Sequence, residues 1–334
     1  MIYPPKSWKN KDTHYIESIN SEWYKSIIIL QNELSYATYD FYRQKNMKTF
    51  FLPITTNCIS SPMGLGSDSK PVSIELFGMN TYLADSMQFM LEYGCRFFHE
   101  GCFYLMPSFR GEDVDERHLS QFYHSEAEIV GTLEDIIKLV EEYLIFISRR
   151  MLESCKDIIC NITGNVNHIE RLININTIPR ITYQDAVSFL SKKEGTLRTD
   201  KNNYIYITNE GEKELLENYN GIVWLTYIDE KIVPFYQASN GNGYAKCADL
   251  LLGIGETVGA GERHENAAEL IKALSEHLIP EKEYEWYIKL KKYYPLKTAG
   301  FGMGTERFLL WLLKKEDIRD CQLIPRSNKN IFIP

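Results

Sequence analysis

Three glycines at alternate positions in Gly300-Phe301-Gly302-Met303-Gly304 run directly into Thr305-Glu306-Arg307-Phe308 and the apolar stretch Leu309-Leu310-Trp311-Leu312-Leu313. Glycine carries no Cβ, so such a backbone can pass close against something flat or bulky. Arg307 then opens an apolar helical pattern, and its guanidinium is a fork that can hold a phosphate. Taken alone, the stretch admits two readings: a nucleotide site, or a solvated arginine at the start of a helix.

A second stretch changes the balance. Phe109-Arg110-Gly111-Glu112 is followed, after an acidic tip, by Arg117-His118-Leu119-Ser120-Gln121-Phe122 and then Glu126-Ala127-Glu128. Alternating apolar positions (Phe103, Leu105 and Phe109 before; Phe122, Ala127 and Ile129 after) predict a hairpin of two antiparallel strands with a charged tip. The pair of stretches resembles motifs 2 and 3 of class II aminoacyl-tRNA synthetases: Phe-Arg-x-Glu, a loop and Arg-His-x-x-x-Phe, then Gly-x-Gly-x-Gly-x-Glu-Arg. They occur in that order, about 190 residues apart.

The resemblance implies an α+β fold, an antiparallel β-sheet flanked by helices. It covers about residues 21–328, so residues 1–20 are expected as a loose N-terminal arm and 21–334 as one catalytic domain. The apolar positions of Ser21–Arg43 predict a helix, and Thr49–Ile54 a strand with Pro53 near its middle, suited to an edge or interface. Helix and strand together resemble motif 1, which implies a homodimer. Strands are also expected at Ile74–Gly78, Gly221–Tyr227 and Pro234–Tyr236, and helices at Tyr82–Glu92, Gly131–Ile159 and Tyr183–Leu190. Residues 193–212 read as an insertion or loop.

Composition excludes several classes. No apolar run is long enough to span a membrane, and the N-terminus has no secretory pattern. Seven cysteines without a C-x-x-C pair read as free thiols of a cytoplasmic protein, with no zinc site. The net charge of −8 and the lack of a long basic run argue against a large nucleic-acid footprint.

The chemistry-bearing residues follow. Asp249 and Glu256 stand seven apart among apolar strand residues, where a carboxylate is costly unless paired or bound to a cation. Two alternatives stand on the residues alone: a structural ion pair with Arg263 or Lys246, or a Mg²⁺ site completed by phosphate oxygens. The resemblance to asparaginyl and aspartyl enzymes implies the second, with ATP as the nucleotide. It further implies Arg110 on the α-phosphate and substrate carboxylate, and Arg307 on the γ-phosphate, as the catalytic pair. Arg117 assists from the motif 2 loop. Phe122 stacks under adenine with Gly302 and Gly304 opposite, and Glu112, His118 and Leu119 complete the ATP site. Ser86, Gln88 and Glu126 take the amino group. Tyr236, Glu262 and Arg263 take the rest of the amino acid, in a pocket set by loops 57–72 and 236–246. The segment Tyr82–Glu92 resembles the asparaginyl side of the family: aspartyl enzymes carry lysine where this chain has Leu91.

Three departures shape the expected function. Twenty residues before motif 1 cannot form the anticodon-binding barrel of tRNA-charging members. The motif 2 loop is one residue short. Lys297-Thr298 replaces the Pro-His before motif 3. Gly261-Glu262-Arg263 and Leu296-Lys297 resemble the free-standing archaeal asparagine-synthetase-related cores. The leading expectation is a ligase that adenylates a small amino acid, aspartate or a relative, and passes it to ammonia or another small amine. The alternatives are a truncated synthetase acylating tRNA or another macromolecule, and a non-catalytic amino-acid and nucleotide sensor.

Overall fold

The computed structural model describes residues 1–60, 65 and 69–326. Among these, the largest sheet has seven strands: β1 (Cys102–Phe109), β2 (Gln121–Val130), β3 (Arg180–Thr182), β4 (Ile222–Thr226), β5 (Cys247–Leu252), β6 (Gly255–Glu262) and β7 (Thr298–Gly304). Their spatial order is β1-β2-β7-β6-β5-β4-β3, antiparallel throughout except for the parallel β3–β4 pair at one edge. The helices that matter below are α1 (Glu22–Gln44), α2 (Gln88–Gly94), α3 (Leu133–Thr163), α4 (Asn209–Asn218), α5 (Glu285–Tyr293) and α6 (Thr305–Leu313). This is the α+β architecture expected from the sequence.

Helix α3 forms because Leu133, Ile136, Ile137, Val140, Leu144, Ile147 and Met151 recur at helical spacing and are all buried. Thr132 and Asp135 form a capping box at its start, and Gly164 ends it in the left-handed region at φ 81°. Its apolar stripe packs with α1 against one face of the sheet, where Phe301 and Met303 are fully buried in the same cluster. Each such side chain contributes about 1.5–3 kcal/mol through burial. The opposite face of the central strands is left for polar side chains, and that face carries the site.

Several segments differ from expectation. The N-terminal arm is not loose: Trp8 and His14 are buried, and Trp8 Nε1 donates to Asp320 Oδ1 at 2.7 Å. Thr49–Ile54 forms no strand; Pro53 has no N–H to give a ladder, and only Thr55–Thr56 pairs, with Leu83 and Tyr82. Tyr82 and Leu83 end a hairpin strand, Met79–Leu83, whose two-residue turn places Phe77 and Gly78 at positive φ, so the helix begins only at Gln88. Pro234–Tyr236 is a turn, because Phe235 and Tyr236 fold back to pack on Phe89 rather than extend. Within 193–212 a small hairpin, Leu197–Thr199 with Ile205–Ile207, leads into α4. Of the loop 57–72, residues 61–64 and 66–68 lie outside the described residues. No helix among the described residues is long and apolar enough to cross a membrane. All seven cysteines are free thiols.

Candidate active site

A cavity of about 860 Å³ opens on the polar face of the sheet, and almost every residue singled out from the sequence lines it. One end is cationic. Arg110 follows β1, and its guanidinium lies 5.5 Å above the Phe122 ring. Arg307 is fixed at the start of α6, where its Nη1 donates to the Glu256 carbonyl at 2.5 Å. Arg117 reaches in from the hairpin tip. Burial pushes the Arg307 pKa down; Glu256 opposes this, while Arg110 and Arg117 reinforce it. Three guanidinium groups thus share one end of a partly buried space. Among the described residues, Arg110 Nε and Arg117 Nε and Nη1 are buried without a hydrogen-bond partner. Such a cluster is suited to an anion with several oxygens.

Glu112, His118 and Leu119 line the same cavity. Glu112 Oε1 accepts from the Lys70 amide at 3.0 Å, and His118 Nδ1 lies 2.8 Å from Asp115 Oδ1. Gly304 joins β7 to α6 at the cavity wall, and Gly302 leaves bare backbone beside Glu126, where a Cβ would come within 3.3 Å of Oε1.

Asp249 and Glu256 converge although they stand on different strands. Asp249 pairs with Gly259 across β5–β6, and a bulge at Leu250/Leu251 separates that pair from the Leu251–Glu256 pair. A Cβ on Gly259 would lie 3.2 Å from Glu256 Oε1 and 3.7 Å from Asp249 Oδ1. The two carboxylates therefore hang over one glycine, beside Arg307, whose Nη1 is 3.9 Å from Glu256 Oε2. Among the described residues no group of three or more His, Cys, Asp or Glu side chains could enclose a metal. Two hard oxygen donors fit an ion that takes its other ligands from water and phosphate, as Mg²⁺ does.

The other end is built from buried charges. Glu126, on β2, accepts from Ser86 Oγ at 2.6 Å and from Tyr104 OH, and His124 Nδ1 lies 2.9 Å from its second oxygen. Two residues on, Glu128 is fully buried and takes Arg263 Nε and Nη2, each at 3.2 Å. Gln88 Nε2 donates to Glu128 Oε2 at 2.5 Å and to the Ala127 carbonyl at 3.0 Å. Arg263 Nη1 also donates to Gln237 Oε1 at 3.0 Å, and its guanidinium lies 5.1 Å from the Tyr236 ring. Burial pushes the Glu128 carboxyl up, and the Arg263 charge opposes that push. The Tyr236 hydroxyl is also pushed up by burial, again with Arg263 opposing. Glycines make the arrangement possible: a Cβ would fall 1.8 Å from Glu128 Oε2 at Gly300 and 1.9 Å from Gln237 Oε1 at Gly261.

Glu262 is set apart, contrary to expectation. Successive strand residues point to opposite faces, so Glu262 leaves the cavity between Gly261 and Arg263. Its Oε1 meets Lys246 Nζ at 2.9 Å, and its Oε2 accepts from the Leu133 amide at the start of α3 at 3.2 Å. Among the residues not singled out are Gln237 and the buried Glu128, which hold Arg263; His124, at the cavity wall; and Glu212, which holds Arg117 at 2.5 Å. Glu128 was findable, since it stands two residues after Glu126 and must share its face. Glu212 comes from a segment with no recognisable pattern.

Comparison with known proteins agrees with this geometry. Residues 9–328 match the family model described as tRNA synthetases class II (D, K and N). An asparagine–tRNA ligase of Malacoplasma penetrans (strain HF-2) is 32% identical over 322 residues, covering 91% of this chain and 70% of that protein. The crystal structure of asparaginyl-tRNA synthetase from Pyrococcus horikoshii complexed with asparaginyl-adenylate superposes with a TM-score of 0.87 at 25% identity, covering 99% of this chain and 74% of that one. The Entamoeba histolytica asparaginyl-tRNA synthetase in complex with asparaginyl-adenylate shares the fold, with a TM-score of 0.84 at 22% identity over 99% of this chain and 73% of that one. The seven-stranded sheet, the two signature stretches that frame its cavity and these matches together place the chain in the class II tRNA synthetase family, in its aspartate, lysine and asparagine branch.

Proposed function

We propose that this chain is an ATP- and Mg²⁺-dependent, AMP-forming ligase that activates asparagine, or the related aspartate, as its aminoacyl adenylate. The observation that carries this reading is the gathering of Arg110, Arg117 and Arg307 with Asp249 and Glu256 in one cavity whose other end is the Arg263–Glu128 pair. ATP phosphates would lie among the three arginines, and adenine between Phe122 and the Gly302–Gly304 backbone, beside Glu112, His118 and Leu119. Asp249 and Glu256 would hold the Mg²⁺, which when bound neutralises phosphate charge. Ser86, Gln88 and Glu126 would take the substrate ammonium, with Tyr236 along the side.

In the reaction, an α-carboxylate oxygen of the amino acid attacks the α-phosphorus. The bond from that phosphorus to the bridging oxygen breaks, and pyrophosphate leaves with the electron pair. Arg110 offsets the charge on the α-phosphate oxygens, and positioning supplies most of the rate. Arg263, held in place by Glu128 and Gln237, can donate to the side-chain oxygen of either amino acid.

The acceptor has two readings. The relatives are tRNA ligases, which supports transfer to a tRNA hydroxyl. The net charge of −8 supports a small amine such as ammonia, in the asparagine-synthetase-like version, where the side-chain carboxylate of aspartate rather than its α-carboxylate would attack the α-phosphorus and the amine would then displace AMP. Along α1, Ile28, Ile29, Tyr36 and Tyr39 are exposed apolar side chains, which supports a homodimer through this region. A cytoplasmic location suits the free thiols.

The test is amino-acid-dependent exchange of pyrophosphate into ATP across the twenty amino acids, without tRNA. Exchange with asparagine or aspartate alone is expected. Exchange with neither, despite ligand binding, leaves the sensor reading. Transfer of labelled amino acid to tRNA or to ammonium then names the acceptor.

A further inference from the structure

Arg117 is held in an unusual way. Its Nη2 lies 2.5 Å from Glu212 Oε2, and both side chains are less than one-fifth exposed. The other donors of the fork, Nε and Nη1, are buried and have no partner among the described residues. The pair rests on Gly255, at φ 137°, where a Cβ would lie 2.1 Å from Glu212 Oε2 and 2.2 Å from Arg117 Nη2. No other residue could stand there without displacing both charges. Glu212 is brought in by the first turn of α4, anchored by Thr208 Oγ1, which accepts from the Gly211 amide at 3.2 Å. Burial works against its charge. Arg117 is the strongest opposing influence, and Glu256 and Arg307 are close enough to be felt. Glu212 therefore sits at the cationic end of the cavity, paired with Arg117, whose fork is only partly used.

We propose that Glu212 is the resident counter-ion of Arg117, holding its guanidinium until a polyphosphate enters and then yielding it. The inference rests on the reading of this cavity as a nucleotide site. A terminal phosphate brings more charge and more acceptor oxygens than one carboxylate, so it wins the fork and fills the two idle donors. Glu212 then sets how tightly the terminal phosphates are held, and keeps three arginines from repelling one another before they arrive. It is a positioning residue: its effect belongs to ligands that carry β- and γ-phosphates.

The experiment is calorimetric binding of ATP, inorganic pyrophosphate and AMP to the full chain and to Glu212→Gln, Arg117→Ala and the double variant. In Glu212→Gln, affinity for ATP and pyrophosphate should rise about fivefold to tenfold, while AMP is unchanged. Arg117→Ala should weaken ATP and pyrophosphate but not AMP, and adding Glu212→Gln to it should give no gain. If Glu212→Gln folds poorly, Glu212→Asp keeps the charge at shorter reach and should give a gain of about twofold. Weaker ATP binding in Glu212→Gln overturns the proposal, since the carboxylate then only orients Arg117. An unchanged affinity, or an equal change for ATP and AMP, overturns it as well. Failure of the unaltered chain to bind either ATP or pyrophosphate would remove the nucleotide reading itself, and this inference with it.

Discussion

Lys291 Nζ lies 2.6 Å from Glu92 Oε1, with both side chains sealed from water. The same carboxylate takes Arg96 Nη2 at 3.2 Å and Tyr287 OH, while Lys291 also donates to the His264 carbonyl at 2.5 Å. The pair joins α5 to α2, the helix that begins with Gln88. Burying two charges is costly, so its net gain is small, but removing the lysine leaves the buried Glu92 with Arg96 as its one remaining cationic partner among the described residues. Lys291→Met is expected to lower unfolding free energy by about 3–5 kcal/mol, and Lys291→Met with Glu92→Leu to restore much of it. Urea unfolding of the four proteins measures the coupling; a loss below about 1 kcal/mol in the single variant contradicts the account.

Gly300 and Gly302 separate packing from chemistry. An alanine Cβ at Gly300 meets Glu128, Gln88 and the Ala127 carbonyl at 1.8, 2.3 and 2.7 Å, and the carbonyl cannot swing away. Gly300→Ala should cost about 1–3 kcal/mol and abolish amino-acid binding. At Gly302 the nearest contact is 3.3 Å, so Gly302→Ala should fold normally. Thermal unfolding beside amino-acid titration distinguishes the two.

Glu262 tests the corrected placement. Glu262→Gln weakens the bond to Lys246 and the charge at the start of α3. A stability loss of about 1–2 kcal/mol is expected, with the KM for the amino acid unchanged. A large rise in KM at normal stability would instead return Glu262 to the substrate.

Acid should destabilise the fold through His264. Burial pushes its pKa down to about 4, aided by Lys291 and His277 and opposed by Glu269, while Nε2 stays 3.0 Å from the Phe235 carbonyl. The unfolded imidazole titrates near 6.5. The stability held by the neutral ring is therefore complete above pH 6.5 and drains away as pH falls towards 4, about 3 kcal/mol in all. His168 moves in the same direction, so comparison with His264→Gln isolates one site. Unfolding curves from pH 7.5 to 4 should be flatter for the variant by that amount.

Asp249→Asn and Glu256→Gln should leave the fold intact, since both sit at the cavity and neither is fully buried. Each is expected to lower exchange activity about 100-fold and to raise the Mg²⁺ concentration for half-maximal rate. A magnesium titration at saturating ATP checks it; wild-type dependence in both variants would assign the pair a structural role.

Legibility in the sequence followed periodicity and local motif. The β1–β2 hairpin, α3 and α6 were readable because each declares itself within one window. The arginines and the Asp249–Glu256 pair were readable from the family pattern around them. What failed depended on partners far along the chain. Thr49–Ile54 has strand-like residues but a proline where a ladder needs a donor. Glu262 and Arg263 are adjacent, and only the pleat decides that one faces the cavity and the other α3. Glu212 meets Arg117 across 95 residues, through a hairpin the sequence shows only as polar.

The alternation along β7 has a wider consequence. Ala299, Phe301 and Met303 fill the core, while Gly300, Gly302 and Gly304 lie on the side of the charges. A slip of one residue would drive Phe301 and Met303 into the cavity and leave holes under α3. The chain therefore has no stable way to misalign this strand and stay folded while inactive. Selection for a packed interior and selection for a usable site act on the same register, so a single-residue insertion or deletion in β7 would be lost as a folding defect before it could appear as an altered specificity.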